Sequence, residues 1–175
     1  PYVAFMDGIV MGGGVGVSVL GSVRVATENT MFAMPETGIG FFPDVGGSWF
    51  LPRLPGRLGR YLAMTGGRLS GADCVAVGLA DVYIPSDRLD DAAEILATQE
   101  PNMTREMVMG VLGVFAEKPP AAKIVPMQRE IDRLFAAETV EEILHALFQD
   151  KSENAEKWAK AMSSKSPTSL KVALE

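Results

Sequence analysis

The chain has 175 residues, 47% of them hydrophobic, which is enough for one substantial core and too apolar for a disordered segment. Its 22 acidic and 16 basic residues leave a net charge of −6, which disfavours nucleic acid and anionic membrane surfaces as main partners, since both need clustered Lys and Arg. One cysteine, Cys74, and one histidine, His145, exclude an intrachain disulfide and offer no cluster of His and Cys metal ligands.

In chain order, Tyr2-Val3-Ala4-Phe5-Met6 reads as a buried strand. A strand buried on both sides needs neighbours for its backbone groups, so upstream sequence is expected. Asp7-Gly8-Ile9-Val10-Met11-Gly12-Gly13-Gly14-Val15-Gly16 follows, a glycine triplet between an apolar run and a helical pattern over 14–20. Glycines at a helix start let the backbone approach a ligand closely, and the first helical N–H groups have no intrahelical acceptor. The triplet is either a site for a negatively charged oxygen or a tight structural turn. It is not a nucleotide-binding loop: counting from Gly12 places Val17 where the last glycine of G-x-G-x-x-G belongs, and Gly21 is followed by Ser22 where a Walker motif needs lysine.

Further strands are predicted over 23–26, 31–33 and 81–84, with short helices over 47–51 and 56–65. Ser70-Gly71-Ala72-Asp73 is a capping pattern for another helix, which holds Cys74 in an apolar setting that favours a buried, inert thiol. This order suits a core of stacked β turns with helices on one side. From Asp87 the pattern changes to longer helices, over 89–97, 105–115 and 125–135, with stops at Lys118-Pro119-Pro120. Thr139-Val140-Glu141-Glu142 opens an amphipathic helix to about 149 that carries His145, read as structural, and Ser166-Pro167 caps the last one. The expected organisation is therefore an α/β core over 1–86 and a helical region over 87–175. No signal peptide or apolar run of the roughly 18 residues needed for a membrane span is visible, which makes a soluble, reducing compartment the default.

Two carboxylates lie in the apolar stretch Phe32-Ala33-Met34-Pro35-Glu36-Thr37-Gly38-Ile39-Gly40-Phe41-Phe42-Pro43-Asp44-Val45-Gly46-Gly47, with no basic residue from 31 through 50. Burial there would raise a carboxyl pKa and suit it to proton transfer near neutral pH. The alternative is that each caps a turn, Asp44 serving as N-cap of the helix after it.

Met11-Gly12-Gly13-Gly14, then Phe32-Ala33-Met34-Pro35-Glu36 and Phe42-Pro43-Asp44-Val45-Gly46-Gly47, resemble the crotonase (enoyl-CoA hydratase/isomerase) superfamily. The run from Ala33 to Gly47 is similar to its 3-hydroxyisobutyryl-CoA hydrolase branch. The likeness continues through Phe50-Leu51-Pro52-Arg53-Leu54, Leu62-Ala63-Met64-Thr65-Gly66, Gly78-Leu79-Ala80 and Ser166-Pro167-Thr168-Ser169-Leu170-Lys171. The resemblance implies the C-terminal portion of a ββα spiral core and an acyl-CoA substrate, with CoA as part of that substrate and no separate cofactor. It also implies association as trimers or hexamers, and a bacterial cytoplasm or mitochondrial matrix, the cytoplasm preferred. Gly13, with Gly12 beside it, matches the loop whose N–H binds the thioester oxygen; the second donor comes from an upstream loop. Glu36 matches the catalytic carboxylate, as base or nucleophile, and Asp44 matches the residue that binds the 3-hydroxyl, acts as acid or positions water. Hydratases carry a second glutamate where this chain has Gly16, so thioester hydrolysis is favoured over hydration or isomerisation, and over a non-catalytic acyl-CoA-binding scaffold.

Overall fold

The computed structural model describes residues 1–175. In chain order the elements are strands β1 (Val3–Met6) and β2 (Ile9–Val10), helix α1 (Gly13–Ser18), β3 (Val23–Ala26), β4 (Met31–Phe32), α2 (Gly47–Phe50), α3 (Leu58–Thr65), β5 (Leu69–Ser70), α4 (Gly71–Ala76) and β6 (Val82–Tyr83). Helices α5 (Leu89–Ala97), α6 (Arg105–Gly113), α7 (Gln128–Leu134), α8 (Val140–Gln149), α9 (Glu153–Ser163) and α10 (Pro167–Leu174) follow. They form two compact units, one of Pro1–Phe32 with Leu69–Val125, the other of Ala33–Arg68 with Pro126–Glu175. These units interleave along the chain, whereas the compositional change near residue 86 marks only where glycine-rich α/β sequence gives way to longer helices.

The first unit holds both sheets. One is wholly parallel in the order β1-β3-β6, with Val3 opposite Val23 and Val25 opposite Val82. The other runs β2-β4-β5, parallel between β2 and β4 and antiparallel between β4 and β5, with Phe32 opposite Leu69. The strand corners stack: Gly8, at φ 110°, accepts through its carbonyl from the Met31 N–H at 2.8 Å. The Asp7 carboxylate accepts from Thr27 Oγ1 at 2.6 Å and Asn29 Nδ2 at 3.1 Å in the corner between β3 and β4, and from Ser86 Oγ at 2.8 Å in the corner after β6. Those bonds, the Thr27 hydroxyl foremost, hold the Asp7 carboxyl below its ordinary value. On the parallel sheet, Val23, Val25, Val82 and Ile84 bury their side chains with Leu89 and Ala92 of α5 and Val108 and Leu112 of α6. The expectation of stacked β turns under helices therefore describes this unit.

Helix α4 begins with a complete capping box: Ser70 accepts from the Asp73 N–H, and the Asp73 carboxylate accepts from the Ser70 N–H at 2.9 Å. The other Asp73 oxygen accepts from the Ile124 N–H at 2.9 Å, so one cap also ties down the chain that leaves this unit. Burial pushes the Asp73 carboxyl up, but these hydrogen bonds outweigh it and leave the carboxyl lowered. Cys74, beside it, is fully buried and its thiol is pushed up to about 12, chiefly by burial, so the inert reading holds.

In the second unit, Tyr61 of α3, Phe135 and Trp158 of α9 meet edge to face, with ring centroids 5.2 to 5.8 Å apart. Arg60 donates to the carbonyl of Ala137 at 2.8 Å and pairs with Glu138, closing the end of α7 onto α3. His145 lies on the exposed side of α8 and makes no hydrogen bond. Helix α3 runs so close to the 3₁₀ turn Leu51–Arg53 that a Cβ on Gly59 would fall onto the Leu51 carbonyl oxygen. Backbone cannot yield as a flexible side chain can, so Gly59→Ala is expected to destabilise the fold by about 1–3 kcal/mol or more. Denaturant unfolding of the full-length protein measures this; an unchanged midpoint would show that the contact relaxes freely.

Candidate active site

Glu36 opens a 3₁₀ turn, Glu36–Ile39, that follows the last buried apolar residues Phe32, Ala33 and Met34. Thr37 anchors the turn on both sides: its hydroxyl donates to the Ala63 carbonyl of α3 at 3.3 Å, and its own carbonyl accepts from the Ser166 N–H at 3.1 Å. Ser166 is thus doubly used, since its hydroxyl also accepts from Ser169 N–H as the cap of α10, with Pro167 in the first helical turn. Glu36 is 5% exposed, and its Oε2 is buried without a hydrogen-bond partner. Burial raises the Glu36 carboxyl above its ordinary value; its own backbone N–H opposes this, and the negative charge of Asp44 adds to the rise. A buried carboxyl left unpartnered is what proton-transfer chemistry uses and what a purely structural residue avoids.

Asp44 sits eight residues on, in a turn where one was expected, but of a left-handed form that the sequence did not disclose. The Asp44 carbonyl accepts from the Gly47 N–H at 2.7 Å, and the two central residues both have positive φ, Val45 at 45° and Gly46 at 89°. Such a turn is normal for glycine and asparagine and strained for a β-branched residue. Helix α2 is capped by Gly46 with no side-chain hydrogen bond, so the expectation that Asp44 is an N-cap is overturned: the left-handed pair intervenes. The Asp44 carboxylate makes neither a hydrogen bond nor an ion pair. It lines a cavity of about 460 Å³ with Pro43, Val45, Gly47, Arg57 and Arg60; Glu36 is not among the lining residues. Close packing closes the turn, since a Cβ on Gly47 would lie 3.0 Å from Pro43 Cβ and 3.5 Å from Met34.

Glu36 and Asp44 are thus brought into one unit and interact through their charges, while Gly12 and Gly13 belong to the other. At Gly12 the backbone adopts φ 51° and ψ −125°, a conformation natural to glycine alone, and α1 starts at Gly13. The Gly14 N–H donates to the Met11 carbonyl and the Val15 N–H to Gly12, but the exposed Gly13 N–H donates to nothing. A side chain at Gly12 or Gly13 would meet no atom within 4 Å, so the space beside this free N–H is open. Sequence reasoning missed Thr37 and Val45: a threonine before glycine carries no signal of a two-sided anchor, and a valine ordinarily argues for extended backbone.

The stacked-corner α/β fold, the buried Glu36 carboxyl and the free Gly13 N–H are accompanied by a match over the whole chain to a family model. The sequence model described as enoyl-CoA hydratase/isomerase matches residues 1–175, and the chain belongs to that family. It is 49% identical over 180 residues to the 3-hydroxyisobutyryl-CoA hydrolase, mitochondrial, of Rattus norvegicus, covering 99% of this chain and 46% of that protein. Among solved structures it is similar to a carnitinyl-CoA dehydratase from Mycobacterium thermoresistibile, with a TM-score of 0.90 and 43% identity over 99% of this chain and 49% of the other. An enoyl-CoA hydratase from Rhodobacter sphaeroides gives a TM-score of 0.87 at 34% identity, covering 99% of this chain and 48% of the other. The chain spans about half the length of the curated relatives it matches. No helix is long and apolar enough to cross a membrane.

Proposed function

We propose that the protein of which this chain forms part hydrolyses the thioester of a short 3-hydroxyacyl-CoA, 3-hydroxyisobutyryl-CoA foremost, to the free acid and CoA. The observation that carries this reading is the buried Glu36 carboxyl, whose Oε2 has no partner and which is raised by burial and by Asp44. In the reaction, water adds to the thioester carbonyl and the sulfur leaves as thiol. Glu36 takes the proton of the attacking water, or attacks the carbonyl itself to form an anhydride that water then opens. Asp44, a lining residue of the cavity whose carboxylate has no hydrogen-bond or ion-pair partner in the chain, accepts a hydrogen bond from the substrate 3-hydroxyl. The free Gly13 N–H, preset by Gly12, donates to the oxyanion of the tetrahedral intermediate, an interaction of about 2.7 to 4 kcal/mol in such sites.

Support comes from the identity to proteins named as hydrolases and from Gly16, which leaves no carboxylate within α1 for a hydration that uses two. All the chemistry falls to side chains, backbone and water, and CoA enters as part of the substrate. The vertebrate relatives are named mitochondrial, which favours the matrix over the cytoplasm for this reading. Incubating the full-length protein with 3-hydroxyisobutyryl-CoA should release free thiol, and crotonyl-CoA should be hydrated far more slowly. Turnover of crotonyl-CoA without thiol release from the hydroxy thioester would replace hydrolase with hydratase. Tight binding of both without turnover would make the protein an acyl-CoA-binding scaffold.

A further inference from the structure

One charged side chain beside the Glu36 turn has no part in the chemistry derived above. Lys165 lies in the link between α9 and α10, half-buried, and its Nζ makes no hydrogen bond or ion pair with the chain. Two glycines of the same unit mark its place. A Cβ on Gly38, inside the Glu36–Ile39 turn, would stand 3.3 Å from the Nζ and 3.8 Å from the Cδ of Lys165, and a Cβ on Gly66 would stand 3.6 Å from the Nζ. The end of the lysine therefore takes the room that a side chain on Gly38 would need, and it lies beside the C-terminal end of α3, which Gly66 caps at φ 68°. The last carbonyls of a helix lack intrahelical donors and carry partial negative charge, so an ammonium is favoured there without a carboxylate.

The residue after Lys165 holds the same turn, since the Ser166 N–H donates to the Thr37 carbonyl at 3.1 Å. Lys165 and Ser166 thus meet Gly38 and Thr37, the two residues that follow Glu36, at consecutive points. We propose that Lys165 is a positioning residue: its ammonium, set against Gly38 and the capped end of α3, fixes the turn that aims the Glu36 carboxyl at the reacting carbonyl. An ion pair with Glu36 would work against proton transfer by pulling the carboxyl down, whereas burial and the Asp44 charge leave it raised. The cation serves the backbone of the turn and leaves the carboxyl free. This assignment rests on Glu36 as the reacting group and so on the reading given above.

The test measures kcat and KM of the full-length protein for thiol release from 3-hydroxyisobutyryl-CoA, with thermal melts alongside. Lys165→Met keeps the stem and removes the ammonium. Misplacing a reacting group by about 1 Å costs up to about 10²-fold, so kcat should fall about 10- to 100-fold while KM changes little. Lys165→Arg keeps a cation at the end of α3 and should keep most of the wild-type kcat. Gly38→Ala approaches from the other side: its methyl group displaces the ammonium, and kcat should fall again. Because both changes act through one contact, the double variant should be no slower than the slower single one. A Lys165→Met variant that melts early but keeps full kcat would overturn the assignment and leave the hydrolase reading intact. So would a loss shared in full by Lys165→Arg, or losses that multiply in the double variant. A wild-type protein that hydrates crotonyl-CoA and releases no thiol would overturn the hydrolase reading alone, and the same comparison made on hydration would then decide the assignment. Turnover of neither thioester by the wild type would overturn both.

Discussion

Glu36→Gln is expected to lower kcat for thioester hydrolysis by about 10² to 10⁴-fold, the range that a positioned general base contributes. Glutamine keeps the shape of the side chain in its buried site and removes only the ability to take a proton or attack, so KM should move much less than kcat. The same substitution tests the burial argument through stability. Burial raises the Glu36 carboxyl in the folded chain above its ordinary 4.5, so the fold favours the neutral form. That contribution is fully present below the unfolded value, declines as pH rises through the folded value, and is then constant. Glutamine does not titrate. The stability of Glu36→Gln relative to wild type should therefore increase in denaturant melts as pH rises above the ordinary carboxyl value of 4.5. A variant with full activity, or one whose relative stability declines over that range, would contradict the role given to this carboxyl.

Asp44→Asn is expected to act in two separable ways. Loss of a charged hydrogen bond to the substrate 3-hydroxyl is worth about 1.5 to 3 kcal/mol, roughly a 10- to 100-fold drop in kcat/KM for hydroxy thioesters. A thioester without the 3-hydroxyl should lose far less. The second effect is electrostatic: the Asp44 charge helps to raise the Glu36 carboxyl, so its removal lets that carboxyl fall toward the ordinary value. The acid limb of the kcat/KM profile should then move to lower pH. An equal loss on substrates with and without the hydroxyl would dissociate Asp44 from hydroxyl recognition, and an unmoved limb would dissociate it from Glu36.

Much of the first unit was legible in the sequence because its signals are local. Val23–Ala26 and Leu89–Ala97 appear as predicted, and the Ser70 capping box is present in full. Strands Ile9–Val10 and Leu69–Ser70 were not predicted, since two residues are too few for alternation to show, and their pairing is decided by distant partners. The helix predicted over 125–135 divides into a 3₁₀ turn at Val125–Met127 and α7, with Pro126 inside the turn. Helix α9 was also unforeseen: half of its buried face is Ala155 and Ala159, whose small side chains give a weak apolar signal, and Glu153, Glu156, Lys157 and Lys160 are interspersed among the buried positions. At the site, the apolar run around Glu36 buries its carboxyl, and that burial raises it. The left-handed Val45 was invisible, because a valine's own preference is for extended backbone.

The interleaving of the two units also sets the order in which this chain can fold during synthesis. The Ala33–Arg68 segment, with both carboxylates, leaves the growing polypeptide long before its partner Pro126–Glu175. Until then Tyr61 lacks the rings of Phe135 and Trp158, and Thr37 lacks the Ser166 N–H that pins the Glu36 turn. Pairing these two segments across the intervening Leu69–Val125 is a non-local contact of the kind that slows folding and leaves apolar surface open to misassociation. A ribosome-bound chain stalled before residue 126 would carry Glu36 and Asp44 without the Ser166 N–H that pins the Glu36 turn.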